Sequence, residues 1–416
     1  METILVDAPQ TIGDTGIRRT LLEDLALKSL YLNGEMSLLE LTERTCLSLP
    51  VIEELFQFFR REQLCEVKGM TRGTHVIAAS TAGKERAAAS FAISQYAGPA
   101  PVSLEEYTTR VRGQSVQQTP VTPADIYRAF EKLVLDDDLL MRLGTAVVSG
   151  TSVFLYGPPG TGKTTLACNI PSIYDDFVLI PHAIEVDGQI ISVYDLGVHL
   201  AAPYSMPEDW DRRWMLCHRP RVVAGGELSS ELLDLQFNAS TRFFTAPLQL
   251  KANNGVLVLD DFGRQRMRSD ELLNRWMTPL DRRIDFLTLP GGKKFEVPFD
   301  VLVVFSTNMD PRALADEAFL RRIPNKIHVN YATPGQFAEI FERECAARSL
   351  SCEEGLTDYA VDFITKEMKQ PLSHSYAGDI VKQVLWSAKY RGVEPHLTRA
   401  TFQEACQHYF LEVRST

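Results

Sequence analysis

The sequence predicts an α/β protein in which a parallel sheet is flanked by helices, followed by a helical region and preceded by a small α+β unit. Three observations predict it. Ser152-Val153-Phe154-Leu155-Tyr156 is a short run of strand formers that leads into a glycine-rich turn, after which Thr164-Thr165-Leu166 opens a helix. Two further apolar runs, Gly255 to Leu259 and Val301 to Phe305, end in polar residues, as strands buried on both faces of a parallel sheet do. Beyond them Phe337 to Ala347, Tyr359 to Met368, Asp379 to Tyr390 and Thr401 to Phe410 all show helical spacing.

A chain of 416 residues, 45% hydrophobic and 23% charged, is long enough for two or three domains with cores of their own. Its formal charge of -11 argues against a surface that seeks nucleic acid throughout, and leaves room only for a local basic patch. The seven cysteines are scattered singly with no C-x-x-C pair, which suggests neither a zinc module nor a secreted disulfide framework. Met1 to Asp7 is acidic and lacks the apolar run of a signal peptide, and no later stretch reaches about 18 apolar residues. The expected compartment is the cytoplasm, without membrane insertion.

In residues 1–96, apolar positions recur at helical spacing from Arg19 to Leu32, and Asn33-Gly34 stops that helix. Short helices follow at Ser37 to Thr45 and from Pro50 to Arg61, then two strand-like runs around Arg72-Gly73 and a helix from Thr81 to Ser94. Three helices and a hairpin resemble a winged helix. The residues oppose a DNA reading, because the expected recognition helix opens with Glu53 and Glu54. Residues 1–119 also hold 12 Lys and Arg against 15 Asp and Glu, the wrong sign for neutralising phosphates. Arg60, Arg61 and Arg72 could form a small basic spot. Gly98-Pro99-Ala100-Pro101 breaks the periodicity, so residues 97–121 are expected to be a linker, or a strap across the next domain.

The turn after Tyr156 is Gly157-Pro158-Pro159-Gly160-Thr161-Gly162-Lys163-Thr164, a complete phosphate-loop pattern, with Thr165 in the first helical turn. Backbone N–H groups there can surround a triphosphate, with glycine where a side chain would hold the phosphate off. Lys163 would neutralise the β and γ phosphates and Thr164 would take a position on Mg²⁺. The second landmark is the strand end Asp260-Asp261, placing Asp260 on Mg²⁺ and Asp261 on the attacking water. The third is Asn308, which could reach the γ-phosphate or the water. The fourth is Arg321-Arg322, suited to stabilising transition-state charge; alone, each reads as a surface ion-pair residue.

In this order and spacing the four landmarks resemble the AAA+ ATPases, over about residues 122–412. The resemblance implies an α/β nucleotide-binding core at 122–330 and a helical lid at 331–416. It makes Gly157 to Thr164 the Walker A loop, Asp260 and Asp261 Walker B, Asn308 sensor 1, and Arg321 or Arg322 the finger acting on a neighbouring subunit. It implies ATP and Mg²⁺, a homo-oligomeric ring such as a hexamer, and an unidentified protein client. Two strand-like runs around Gly291-Gly292, with Asn308-Met309-Asp310-Pro311, look like the MoxR, magnesium-chelatase and RuvB-like branches.

Three departures qualify it. Asp261 stands where relatives usually carry Glu, which draws the carboxylate back by about 1.5 Å. Ala377-Gly378-Asp379 has glycine at the sensor 2 arginine position, and Lys382 is out of register, so sensor 2 stays unassigned. Residues 181–250 are longer than a minimal core needs and are expected to hold an insertion, in which Tyr194 reads as a strand residue before a pore residue. Asp261-Phe262-Gly263 is a coincidental match to a kinase motif, and His182 and His218 have no metal-binding companion. Alternatives are a DNA-directed machine and a nucleotide-gated scaffold that barely hydrolyses.

Overall fold

The computed structural model describes residues 6–204, 207 and 209–410; Met1 to Leu5, weighed above as a leader, lie outside them. In the amino-terminal unit α1 (Arg19–Asn33) is followed by β1 (Met36–Ser37), α2 (Leu38–Thr45), α3 (Leu49–Arg61), β2 (Cys65–Thr71), β3 (Thr74–Ala79) and α4 (Thr81–Ile93). Ser37 starts α2 by a reciprocal cap, in which Glu40 N donates to Ser37 Oγ at 3.2 Å and Ser37 N donates to Glu40 Oε2 at 2.7 Å. Arg72 and Gly73 turn the chain between β2 and β3 with φ of 49° and 78°, the left-handed pair that suits a hairpin's twist. The strands pair in the order β1-β3-β2. Leu22, Leu25, Leu55, Phe59 and Ile77 are buried between sheet and helices, and Ala183 and Ile190 of the next domain join the same cluster.

The stretch 97–121 holds β4 (Val102–Ser103) and α5 (Leu104–Gly113). Its polar residues turn inward. Gln114 donates through Nε2 to Leu179 O at 2.8 Å and accepts from Leu179 N at 2.9 Å, while Ser115 Oγ donates to Asp300 Oδ1 at 2.7 Å. Polarity that reads as solvent exposure in the sequence here satisfies buried groups that need partners.

Next come α6 (Pro123–Phe130), α7 (Asp137–Ser149), β5 (Ser152–Tyr156) and α8 (Lys163–Asn169). A strand-rich stretch follows, with β6 (Phe177–Pro181), β7 (Ala183–Val186), β8 (Gln189–Ser192), β9 (Trp214–His218), β10 (Arg221–Ala224), β11 (Gln236–Asn238), β12 (Phe243–Thr245) and α9 (Leu248–Lys251). The core is completed by β13 (Gly255–Leu259), α10 (Ser269–Arg282), β14 (Ile284–Thr288), β15 (Lys294–Pro298), β16 (Val301–Thr307), α11 (Pro311–Leu314), α12 (Glu317–Leu320) and β17 (Asn325–His328).

Five strands form an all-parallel sheet in the order β10-β13-β16-β5-β17, which sets the carboxyl ends of β5, β16 and β13 side by side. The chain thus has an α/β phosphate-loop core. Residues 181–250 divide: Arg221–Ala224 is an edge strand of this sheet, whereas β7, β8, β11 and β12 join β4 in a second sheet, ordered β11-β12-β8-β7-β4. Tyr194 stacks on His199 with centroids 5.6 Å apart, a packing role. Arg213, only 2% exposed, ties a seam between the segment before α1 and the strand-rich stretch: it pairs with Asp211 at 2.8 Å and Glu106 at 3.3 Å and donates to Thr15 O at 3.0 Å. The carboxyl-terminal helices α13 (Pro334–Ala347), α14 (Leu356–Asp362), α15 (His374–Arg391) and α16 (Arg399–Tyr409) pack around Phe337, Phe341, Ile380 and Phe402.

Candidate functional site

The turn from β5 into α8 is possible only with glycine. Gly157 has φ 146°, and a Cβ there would fall 2.2 Å from Val329 O. Gly160 has φ 75°, with a Cβ only 2.2 Å from Ser373 Oγ. Gly162 has φ 84° and opens onto space, so the loop keeps backbone amides bare where a ligand would lie. Lys163 is 5% exposed. Its Nζ donates to Pro158 O at 2.6 Å and to Thr161 Oγ1 at 3.4 Å, and it has no ion-pair partner among the described residues. Burial pushes its pKa below the ordinary lysine value, against the opposing pull of Asp260 and Asp261. A buried ammonium held only by the loop's own oxygens is a cation set for an anion.

Thr164 Oγ1 lies 2.9 Å from each carboxylate oxygen of Asp260, which joins the loop to the end of β13. Asp261 is the next residue, exposed, with φ 48°. That left-handed bend is costly for a residue other than glycine, and its neighbours fix it. Phe262 N donates to Ser306 O at 2.8 Å, Thr307 Oγ1 donates to Phe262 O at 2.7 Å, and the Phe262 ring packs edge-on against Phe154 and Phe305. Asn308 follows β16 and is half-buried.

A cleft of about 480 Å³ gathers these groups: Gly160, Thr161, Gly162, Lys163, Thr164, Thr165, Asp261 and Asn308 line it. Asp260 is linked through Thr164; Gly157, Pro158 and Pro159 shape the loop behind it. Sequence reasoning missed the opposite wall. Leu133, Val134 and Leu135 between α6 and α7, and Ile340, Arg343, Glu344, His374 and Ser375 of the carboxyl-terminal helices α13 and α15, complete the cleft. No motif marks them, because they meet only when α13 and α15 fold over the loop. Ser373 Oγ and Ser375 N both donate to Gly160 O, at 2.8 and 3.2 Å.

The two arginines differ. Arg322, 13% exposed, donates from Nε to Asp281 Oδ2 at 2.7 Å and from Nη1 to Ala318 O at 2.6 Å. Arg321 is exposed and its side chain has no partner among the described residues. Neither lines the cleft of its own chain. No group of three or more His, Cys, Asp or Glu able to hold a metal occurs among the described residues.

Residues 333–408 match a family model described as a domain of unknown function (DUF8689). No curated protein matches the sequence. Among solved structures, the RuvB Holliday junction branch migration motor of Thermotoga maritima is similar at 14% identity, over 72% of this chain and 72% of that chain, with a TM-score of 0.37. NtrX from Brucella abortus in complex with ADP is similar at 14% identity, over 65% of this chain and 54% of that chain, with a TM-score of 0.40.

Proposed function

We propose that the protein is a Mg²⁺-dependent ATPase of the AAA+ kind that works as a cytoplasmic homo-oligomeric ring and remodels a protein partner. The observation that carries the reading is Lys163, a buried ammonium without an ion-pair partner among the described residues, in a glycine-rich loop and beside Thr164 and Asp260. Such a site fits a polyphosphate. Thr164 and Asp260, already in contact, would hold Mg²⁺, leaving its other positions to phosphate and water as that ion prefers. Bound Mg²⁺ would supply neutralisation of the phosphate charge. Lys163 binds the β and γ phosphates; Asp261 and Asn308 orient the attacking water by hydrogen bonds. As water oxygen bonds to the γ-phosphorus, the bond to the β–γ bridging oxygen breaks, ADP leaves with its electron pair, and the water gives up a proton to a γ-phosphate oxygen, yielding inorganic phosphate. Arg321, exposed and without a partner among the described residues, supports action at a neighbouring subunit's site.

Support for a protein client comes from apolar side chains left in solvent on one loop, with Leu196 at 86% and Leu200 at 68% exposure. The DNA-directed alternative meets an obstruction. Ile12 N donates to Glu54 Oε2 at 3.0 Å and Ser48 Oγ donates to Pro9 O, so the segment before α1 lies over the first turn of α3. No helix among the described residues is long and apolar enough to cross a membrane.

Isothermal titration with a non-hydrolysed ATP analogue tests the site. Lys163→Ala should lose tight binding, and Asp261→Asn should keep it while turnover falls by about 10²-fold or more. Unchanged affinity in a folded Lys163→Ala variant would sink the assignment.

A further inference from the structure

Within the cleft several polar side chains already have partners, whereas those of Asp261 and Asn308 stand open to it. Thr164 contacts Asp260, Lys163 donates to Pro158 O, Arg343 donates to Glu339 at 2.6 Å and to Glu131 O at 3.1 Å, and Glu344 accepts from Arg348. His374, the first residue of α15, differs from the other residues lining the cleft in having a side-chain polar atom that is both buried and unsatisfied. Its Nδ1 is shut away from solvent with no hydrogen-bond partner, and among the described residues Nε2 has none either. The backbone on either side is fixed on the phosphate loop, because Ser373 Oγ and Ser375 N both donate to Gly160 O. The imidazole is thereby kept beside the loop.

The tautomer follows from burial. A shielded N–H without an acceptor costs more than a bare lone pair, so the proton belongs on Nε2 and Nδ1 stays unprotonated. Burial also pushes the His374 pKa below the ordinary histidine value, which keeps the ring neutral near pH 7. The charged groups that share the cleft are Lys132, Lys163, Asp261, Arg343 and Glu344. What remains is one neutral N–H donor, pointed away from its own buried side, next to the loop that would hold phosphates.

We propose that His374 is a nucleotide-binding residue whose Nε2–H donates to a phosphate oxygen, so that the lid senses the phosphate chain directly. The proposal rests on the nucleotide reading of the site. Hydrogen bonds to charged acceptors are the stronger ones, so His374→Ala should bind MgADP about tenfold more weakly. His374→Gln, which retains a neutral N–H donor, should stay within about threefold of the parent. Adenosine, which has no phosphate, should bind all three proteins alike. Titration of full-length protein with MgADP and with adenosine reads these values, and Lys163→Ala serves as the reference. If Lys163→Ala binds MgADP as the parent does, the nucleotide reading itself fails. If that variant loses binding while His374→Ala does not, or if His374→Ala weakens adenosine equally, the phosphate contact is overturned. Spectra of ¹⁵N-histidine-labelled parent protein decide the case without any variant. They should show His374 as the Nε2–H tautomer, with Nε2 shifting on MgADP addition and Nδ1 remaining unprotonated; an Nδ1–H tautomer, or no shift, overturns the proposal.

Discussion

The phosphate-loop cleft and the amino-terminal helix α3 are both suggested by sequence pattern, and the fold treats them in opposite ways. In the cleft, Lys163 lacks an ion-pair partner among the described residues, and Asp261 and Asn308 line open space. Around α3 the groups are engaged. Glu54 accepts from Ile12 N and from Arg19 at 3.0 Å, Arg61 pairs with Glu62 at 3.1 Å, and the Arg60 and Arg61 guanidinium groups sit over Phe56 and Phe58. A motif is free to bind a ligand where folding leaves its polar groups without partners. The same chemistry, once satisfied inside the chain, serves packing.

The largest test of that rule separates two adjacent arginines. Arg321 is uncommitted, as the cleft residues are; Arg322 is engaged, as the α3 residues are. Arg321→Ala should therefore lower turnover by about 10³-fold, as loss of an arginine finger does, with thermal stability unchanged. Arg322→Ala should instead lower stability by up to about 1 kcal/mol, because Asp281 is 45% exposed and the pair is partly screened. Steady-state ATPase assays and thermal melts on both variants read the difference. Mixing Arg321→Ala subunits with Asp261→Asn subunits should restore some activity, since certain interfaces regain one intact site. If Arg322→Ala is the variant that loses turnover, commitment inside the chain is the wrong criterion.

That contrast also marks how far the sequence could be read. Strand-turn-helix punctuation around Gly157 to Thr165 and the apolar runs ending at Asp260 and Asn308 are local signals, and they locate the loop wall of the cleft. The opposite wall, from α13 and α15, is not local. Arg343 and His374 lie 31 residues apart on separate helices, and nothing in either helix's spacing distinguishes a cleft-facing side chain from a solvated one. Residues 97–121 read in the sequence as a linker or a strap and not as a helix bonded to the core, since Gln114 and Ser115 have the composition of a linker. The strand Arg221–Ala224 was absorbed into the expected insertion because a four-residue edge strand carries little periodicity. Sequence could propose both Arg321 and Arg322 as fingers; only the position of Asp281 distinguishes them.

A pH experiment sharpens the comparison at an intermediate scale. His182 lies near the seam, with its backbone N–H donating to Arg213 O at 3.0 Å, and burial of the imidazole pushes its pKa down to about 4. The folded value is depressed below the ordinary 6.5, so the unfolded chain takes up the proton first. Its contribution to stability is therefore complete above about pH 6.5 and is lost as pH falls towards 4, by up to about 1.4 kcal/mol per unit. Denaturant melts between pH 7.5 and 4.5 should show this loss, and His182→Phe should make the slope shallower. Saturating MgADP should leave the His182 share of that slope unchanged, because the seam lies away from the cleft. An acid slope identical in parent and variant would show that His182 titrates as a solvated group.

The smallest expected effect is a null, and it concerns α3. Duplex binding releases counterions in proportion to the phosphates neutralised, so a DNA reader presents a cluster of free cations on the inserted helix or wing. Here the exposed start of α3 carries Glu53, Glu54 is bonded to the preceding segment, and the hairpin offers Lys68, already paired with Glu66 at 2.7 Å, and Arg72. Carboxylates set against phosphates would oppose docking most at low salt, where screening is weakest. The full-length protein should therefore bind duplex no tighter than about 10⁻⁴ M at physiological salt, the weak edge of non-specific affinity. Fluorescence anisotropy with random-sequence duplex across a salt series measures it. Substituting Arg60, Arg61 and Arg72 by Ala should change nothing in that series. Micromolar binding with a steep salt slope, lost in the triple variant, would mean that the segment over α3 moves aside and that the engaged groups are released for a ligand after all. The rule drawn from the two regions would then fail at α3, and the DNA-directed reading would displace protein remodelling.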